Sequence, residues 1–523
     1  MEHHKVDVFF VTAVLYLISG INADDACAAR KIEDKSVVCV CNSTYCDTVT
    51  RVPPSPDQYI TYISSESGLR FNKSGGYLQP LNNSDSACIP TLILQPETMY
   101  QMVEGFGGAV TDAAGINLKN LSEPLQKYLI ESYFGDNGLE YNMIRVPIGG
   151  TDFSTHAYAY NEYPINDAQL TNYSLTIEDY QYKIPMIKAS MEASKTEIHL
   201  IATTWSPPPW MKSNNAYSGR GRLKPEYYQT YADYQLKFLE KYSGEGIMFW
   251  GITTTNEPTN GLLGLSAINN LGWTAATMGP WIINNLGPII RNSTFNNIKI
   301  MAGDDQRLTI PYWWDLLITE NPRVLEYVDG LAVHYYTDFI TPAAVLSQVA
   351  ATNPDKFIMA TEAAEGTMLF EKRLVDLGSW TRAKNYIIDI IDDMNHFVVG
   401  WLDWNMCLNA EGGPTYISNF ADSPIIVFPE QDEFVKQPMF YALGHFSKFV
   451  SRGSYRIKVT QTCGWGEFVW NIAFVTPNNT VVVVLYNDDR ARKEVKIQLD
   501  GRQAFVEMEA NTIATIELPY EHQ

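Results

Sequence analysis

Two glutamates stand where an apolar run gives way to polar residues. Glu257 lies in the triplet Asn256-Glu257-Pro258 after MFWGITTT, and Glu362 closes KFIMATE. A carboxyl at the end of an apolar, β-rich segment is costly unless it is used. If the two segments are the fourth and seventh strands of a parallel barrel, their ends can bring the carboxyls about 5 to 5.5 Å apart. At that spacing no water fits between them. One carboxylate attacks an anomeric carbon, the other protonates the departing oxygen, and water releases the sugar from the covalent intermediate. On this reading Glu362 is the nucleophile and Glu257 the acid/base of a retaining β-glycosidase. Taken singly, each glutamate reads more simply as a surface or salt-bridged carboxylate. Glu365 lies three residues beyond Glu362 and competes for the role; Glu362 is preferred because it ends the apolar strand.

Eight segments repeat one theme, a short β-rich stretch followed by a polar or aromatic turn and a helical stretch. They are VEGFGG, YNMIRVPIGG, IHLIATTW, MFWGITTTNEP, IKIMAGDDQ, GLAVHYY, KFIMATE and FVVGWLDWN. Between them lie helical patterns such as PEYYQTYADYQLKFLEKY, where Tyr227, Tyr231, Tyr234 and Phe238 recur at three or four residues. The spacing predicts an α/β chain centred on a (β/α)8 TIM barrel, whose functional groups gather at the C-terminal strand ends. Arg145, Asp152, Trp205, His334, Tyr336, Trp404 and Asn419 fall at such ends or in late loops, where they suit holding hydroxyls and stacking a sugar ring. After the barrel, SYRIKVTQT, GEFVWNIAFVT, TVVVVLYN, EVKIQLD and TIATIEL read as strands with no helices between them, an additional all-β sandwich. Residues 53–97 have the same texture. The expected division is a signal peptide over 1–23, an N-terminal β segment over 24–52, sandwich strands over 53–97, the barrel over 98–452 with a β-hairpin insertion near 405–437, and the sandwich over 453–523.

The net charge of −21, from 38 basic and 59 acidic residues, comes without any Lys/Arg run, which excludes a nucleic-acid partner. The N-terminus carries a basic stretch ending at Lys5, an apolar run from Val8 to Ile18, then small residues. That pattern predicts a secretory leader cut near Ala23. Four of seven cysteines, Cys27, Cys39, Cys41 and Cys46, crowd the first mature residues, so two local bridges are expected in a small disulfide-bonded segment. Cys88, Cys407 and Cys463 leave an odd count, and a buried, inert thiol is expected among them. Seven N-x-S/T sequons, at Asn42, Asn72, Asn82, Asn120, Asn172, Asn292 and Asn478, agree with secretory passage and glycosylation.

The motifs VEGFGGAVTDAA, NMIRVP, TTWSPPPWMK, TNEPTNGLL, GDDQR, AVHYY, TEAAEG, VGWLDWN, GGPTYISNFADSPIIV and KQPMFYALGHFSKF run through nearly the whole mature chain. Together they resemble the lysosomal glucosylceramidases of glycoside hydrolase family 30. The resemblance implies Glu257 as acid/base and Glu362 as nucleophile, and Asp152, Trp205, Asn256, Trp404 and Asn419 as glucose-holding residues. It makes Arg145, Gln306, His334 and Tyr336 supporting groups, and it implies no metal or other cofactor. SVVCVCNSTYCD is similar to that family's start, which implies bridges Cys27–Cys39 and Cys41–Cys46. Implied partners are a glycosphingolipid substrate, a saposin-type activator, anionic lysosomal lipid and a membrane sorting receptor. The implied location is the lysosomal lumen, reached through the secretory pathway, with peripheral membrane association. Two places depart from the family: Ser266, Ile268 and Asn270 replace aromatic residues and a cysteine near the leaving group, and Ala364 replaces a cysteine. The rival readings are a related β-glycosidase acting on a xylosidic or glucan linkage, and a catalytically silent glycolipid carrier; the intact pair Glu257 and Glu362 argues against the second.

Overall fold

A computed structural model describes residues 24–81, 89–264, 266–367, 374–462 and 468–521. The expected leader, Asn82, Cys88 and Cys463 lie outside the described residues. Eight parallel strands close a barrel: Gly105–Ala109, Met143–Ile148, His199–Thr204, Gly251–Thr253, Lys299–Gln306, Gly330–His334, Phe357–Glu362 and Val398–Asn405. Each coincides with one of the eight segments read from the sequence. MIRVPI and FIMATE form strands without polar alternation because the outer helices cover one face while the interior fills the other. The glycine-rich first strand answers a different need. A Cβ on Gly107 would lie 1.9 Å from the Met143 carbonyl oxygen of the neighbouring strand, so only glycine permits that approach.

Met143, Ile201, Met301, Ala332, Met359 and Leu402 form a buried apolar layer inside the barrel. Farther along the same strands the chain turns polar, with Arg145, Thr253, Asp304 and Thr361 all buried. That change of lining places the polar chemistry at one mouth. Outside, the helix Tyr228–Gly244 buries Tyr231, Tyr234, Phe238 and Tyr242, and the helix Trp380–Asn395 buries Tyr386, Ile387, Ile390, Ile391 and Met394. Both stripes follow the helical period that faces a barrel.

The sandwich draws its ten strands from both flanks of the barrel, with Gln58–Ser65, Asn72–Tyr77, Gln79–Pro80 and Thr91–Met102 joining six strands from Tyr455 onward. Leu92, Val483, Leu485, Ile497 and Ile516 lie in its own core. A third sheet was not anticipated. Ala29–Arg30 and Val38–Asn42 pair through Glu433–Lys436 and Ile425–Phe428 to Cys407–Asn409, so the segment after the last barrel strand returns to the N-terminus. Disulfides Cys27–Cys39 and Cys41–Cys46 close the N-terminal segment. Cys407 is a buried free thiol, and burial pushes it up to about 12. Among the described residues no helix is long and apolar enough to cross a membrane. Asn42, Asn72, Asn120, Asn172, Asn292 and Asn478 are all exposed.

Candidate active site

The fourth strand ends in an unusual backbone. Glu257 adopts φ 42° and ψ 63°, a left-handed conformation uncommon for a residue with a Cβ, and caps the short helix Pro258–Leu263. Proline at 258 disfavours the right-handed region for the residue before it. The Glu257 amide donates to the Asp304 carbonyl at 2.8 Å, and Asp304 itself has φ 56° at a register shift in the fifth strand. Strained backbone held by neighbouring strands marks this mouth as a place where geometry outranks local preference.

The two glutamates meet there. One carboxyl oxygen of Glu257, one of Glu362 and a ring nitrogen of His334 all lie within 4.8 Å of one another. Their partners differ. Glu362 Oε2 accepts from Arg145 Nη1, and Glu362 Oε1 accepts from the Tyr336 hydroxyl at 2.8 Å. Glu257 Oε1 accepts from Gln306 Nε2 at 2.7 Å and faces His334 Nδ1 at 3.0 Å, while Oε2 accepts from Asn260 Nδ2 at 2.5 Å.

Asp304 sits below both. It accepts from Arg145 Nη2 at 2.9 Å, from Thr253 and Thr361 at 2.7 Å each, and faces His334 Nε2 at 3.0 Å. Burial works against its charge, but Arg145 and His334 outweigh that and hold the carboxyl far below the ordinary range. Burial likewise opposes a charged His334; Glu362, Asp304 and Glu257 together reverse that and raise it to about 10. Burial raises Glu362, against the pull of His334 and Arg145. A buried network of hydrogen bonds and ion pairs thus links Arg145, Asp304, His334 and the two glutamates.

The opposite wall is built for a ring. Trp205 and Trp404 stack with centroids 5.0 Å apart, and Arg145 lies 4.7 Å from the Trp205 ring centre. Asp152 accepts from Asn419 Nδ2 at 2.8 Å. Burial, reinforced by Glu362 and Glu257, pushes Asp152 up to about 7 despite that bond. Asn256 accepts from Arg145 Nη2 at 2.7 Å. Ile268 and Ala364 join the apolar cluster of Trp205, Trp404 and Phe153, so the altered loop does reach this wall.

Glu365 points elsewhere: it accepts from the Tyr335 hydroxyl at 2.5 Å and from Asn385 at 3.2 Å, away from Arg145 and Tyr336. Arg145, Asp152, Trp205, Asn256, Gln306, His334, Tyr336, Trp404 and Asn419 gather with the two glutamates at the mouth. Reading the sequence missed Asp304 and Asn260. Asp304 did leave a signal, a pair of carboxyls ending the apolar run KIMAG; the contact of Asn260 depends on the left-handed turn at Glu257 and left none.

Residues 103–450 match the glycosyl hydrolase family 30 TIM-barrel domain, and residues 453–516 match the family 30 beta sandwich domain. The chain is 41% identical to mouse lysosomal acid glucosylceramidase over 90% of this chain and 91% of that protein. It is also 41% identical to putative glucosylceramidase 4 of Caenorhabditis elegans, over 87% of each chain. Among solved structures, SrfJ from Salmonella typhimurium superposes with a TM-score of 0.81 at 24% identity, covering 89% of this chain and all of that one. An endo-β1,6-glucanase gives 0.75 at 23% identity, covering 88% and 99%. These last two likenesses speak for the fold. With barrel, sandwich and close relatives in agreement, the chain belongs to glycosyl hydrolase family 30 and is a glycoside hydrolase.

Proposed function

We propose that this chain is a retaining β-glucosidase that hydrolyses glucosylceramide to glucose and ceramide in sphingolipid catabolism. The observation that carries the mechanism is the approach of the two carboxyls, with oxygens within 4.8 Å. An inverting enzyme needs about 6.5 to 9.5 Å between its carboxyls to admit a water, so the short approach supports retention. Glu362 attacks the anomeric carbon and forms a glycosyl ester. Arg145 and Tyr336 orient it and favour its ionised form. Glu257 gives its proton to the glycosidic oxygen, and the ceramide alcohol leaves. Glu257 then takes a proton from water, which attacks the anomeric carbon, displaces the Glu362 carboxylate and frees β-glucose.

In this reading Asp152, Asn256 and Asn419 bind sugar hydroxyls and the Trp205–Trp404 pair stacks the ring, which their contacts around the glutamates support. The names of the mouse and nematode relatives support glucosylceramide as the substrate and, with the mouse protein, a lysosomal location. A saposin-type activator, anionic lipid and a sorting receptor complete the proposal. A fungal relative, an endo-1,6-beta-D-glucanase of Trichoderma harzianum, is 24% identical over 74% of this chain. The test therefore offers glucosylceramide in anionic vesicles, with and without activator across pH, beside a β-1,6-glucan. Release of glucose from the vesicles with acid-favoured kinetics supports the proposal. Preference for the glucan contradicts it.

A further inference from the structure

Arg307 follows Gln306, the residue that contacts Glu257, and makes three ion pairs away from the sugar site. Its Nη2 lies 2.5 Å from Asp338, 3.1 Å from Asp389 and 2.5 Å from Asp393. Asp389 and Asp393 stand one turn apart on the helix Trp380–Asn395. Asp338 belongs instead to the loop after the sixth strand, two residues beyond Tyr336, which contacts Glu362. Arg307 Nη1 also donates to the Thr341 carbonyl at 3.1 Å. One guanidinium therefore ties three things to a rigid helix: the end of the fifth strand, the loop that carries Tyr336, and through these the partners of both glutamates.

The charges do not balance. Three carboxylates on one guanidinium leave a net charge of −2 in a buried place, where unpaired charge is costly. Asp338 Oδ1 is buried and meets no donor, while the Asp338 and Asp389 carboxyls are within hydrogen-bonding reach of each other. Two carboxyls in such contact need a shared proton. A cavity of about 380 Å³ beside the cluster is bordered by Asp338, Asp389, Asp392, Glu365 and Tyr336, so the loop has room to move if the carboxyls repel.

We propose that Arg307 and the cluster Asp338, Asp389 and Asp393 position both glutamates for the reaction, and hold that geometry only while the cluster retains a proton. This rests on the roles proposed above for Glu257 and Glu362. The groups that face the cluster carry both signs. From the helix come Asp392, which adds negative charge, and His396, which partly offsets it; from the fifth strand comes Arg307; from the ends of the sixth and seventh strands come Tyr335 and Glu365, which pair with each other. Burial raises Asp338, Asp389 and Asp393 and Arg307 opposes it at each; repulsion from Asp389 and Asp393 adds to the rise at Asp338, and repulsion from Asp389 and Asp392 adds to it at Asp393. Each folded pKa lies above its unfolded value, so the stabilising contribution is complete at acid pH and is lost as pH rises through the folded values. Asp338 is the member on a loop, so the loop moves and takes Tyr336 with it.

The test compares the wild type with Asp393→Asn and Asp338→Asn, each of which removes one carboxylate without changing shape. Hydrogen exchange of the peptide spanning 335–341 is measured at pH 5 and pH 8, corrected for the intrinsic pH dependence. The wild type should lose roughly tenfold or more in protection at pH 8, the equivalent of one pKa unit, and each variant distinctly less. The alkaline limb of kcat/KM on an aryl β-glucoside should move up by about one pH unit in the variants. Wild-type protection that does not change between the two pH values overturns the proposal even if neither variant folds. So does exchange that shifts while the alkaline limb stays fixed, since the cluster would then titrate without positioning the glutamates. A wild type with no glucosidase activity contradicts the proposed function instead, and the exchange data still decide whether the cluster holds the loop.

Discussion

Asp304→Asn removes one charge from the centre of the buried network and keeps its shape. Asp304 accepts from Arg145, Thr253 and Thr361 and pairs with His334. With the amide oxygen kept toward Arg145, the amide nitrogen faces His334 Nε2, which then accepts a hydrogen bond. The imidazole becomes neutral while its Nδ1–H still reaches Glu257. The lost charge is felt by Glu362, whose carboxyl is raised by burial and held down by His334 first and Arg145 next. His334 Nδ1 lies 4.0 Å from Glu362 Oε1. A full charge at that distance is worth about 4 kcal/mol at an effective dielectric of 20. The imidazolium shares its charge over two nitrogens, one of them farther away, so Glu362 should rise by about one to two pKa units. The assay is kcat/KM against pH on an activated aryl β-glucoside, where departure needs little proton transfer and the acid limb reports the nucleophile in the free enzyme. That limb should move to higher pH by the same one to two units, roughly a 10- to 100-fold loss on the acid side. Breaking a buried charge pair should also cost about 3 to 5 kcal/mol of stability, read as a lower Tm. A lower Tm with an unmoved acid limb would reduce Asp304 to a structural role, and a limb that moves to lower pH would refute the electrostatic reasoning outright.

Glu257→Ala should slow glycosides with poor leaving groups far more than activated ones, and added azide should rescue the second step as a β-glucosyl azide; equal losses without rescue would take the acid/base role from Glu257. Tyr336→Phe removes the hydroxyl that donates to Glu362 at 2.8 Å. A hydrogen bond to a charged group contributes about 1.5 to 3 kcal/mol, so kcat/KM should fall roughly ten- to a hundredfold with little change in Tm. Asp152 is pushed up to about 7, above its unfolded value of about 3.9. Its contribution to stability is therefore full below the unfolded value and lost as pH rises toward 7, and Asp152→Asn should flatten that part of Tm against pH.

The barrel was legible because parallel strands buried on both faces leave continuous apolar runs, as in MIRVPI and FIMATE, each followed by a polar turn. Once those runs were counted, the strand ends located Glu257, Glu362, Arg145, Trp205 and Trp404 together. What stayed hidden depends on directions that one-dimensional spacing does not carry. Glu362 and Glu365 are three residues apart, but the first ends a strand facing Arg145 while the second lies in the following turn beside Tyr335. Asp304 lies within GDDQR, yet its role arises from a register shift that turns it beneath His334. The pairing of Val38–Asn42 with Glu433–Lys436 joins segments far apart in the chain, and no local pattern announces it. Asp389 and Asp393 lie on one helix, and only the folded chain brings Arg307 and the loop bearing Asp338 against them.

The central claim is that Glu362 forms the covalent bond to the sugar, and a 2-deoxy-2-fluoroglucoside with a good leaving group tests it most directly, because the slowed second step traps the ester. Glu362 and Glu365 fall on the same short segment TEAAEG, so the labelled peptide must be fragmented to the residue. One fluoroglucosyl group per chain is expected on Glu362, with loss of activity in step with labelling. An adduct on Glu365, or inactivation with no covalent adduct on either glutamate, would contradict it.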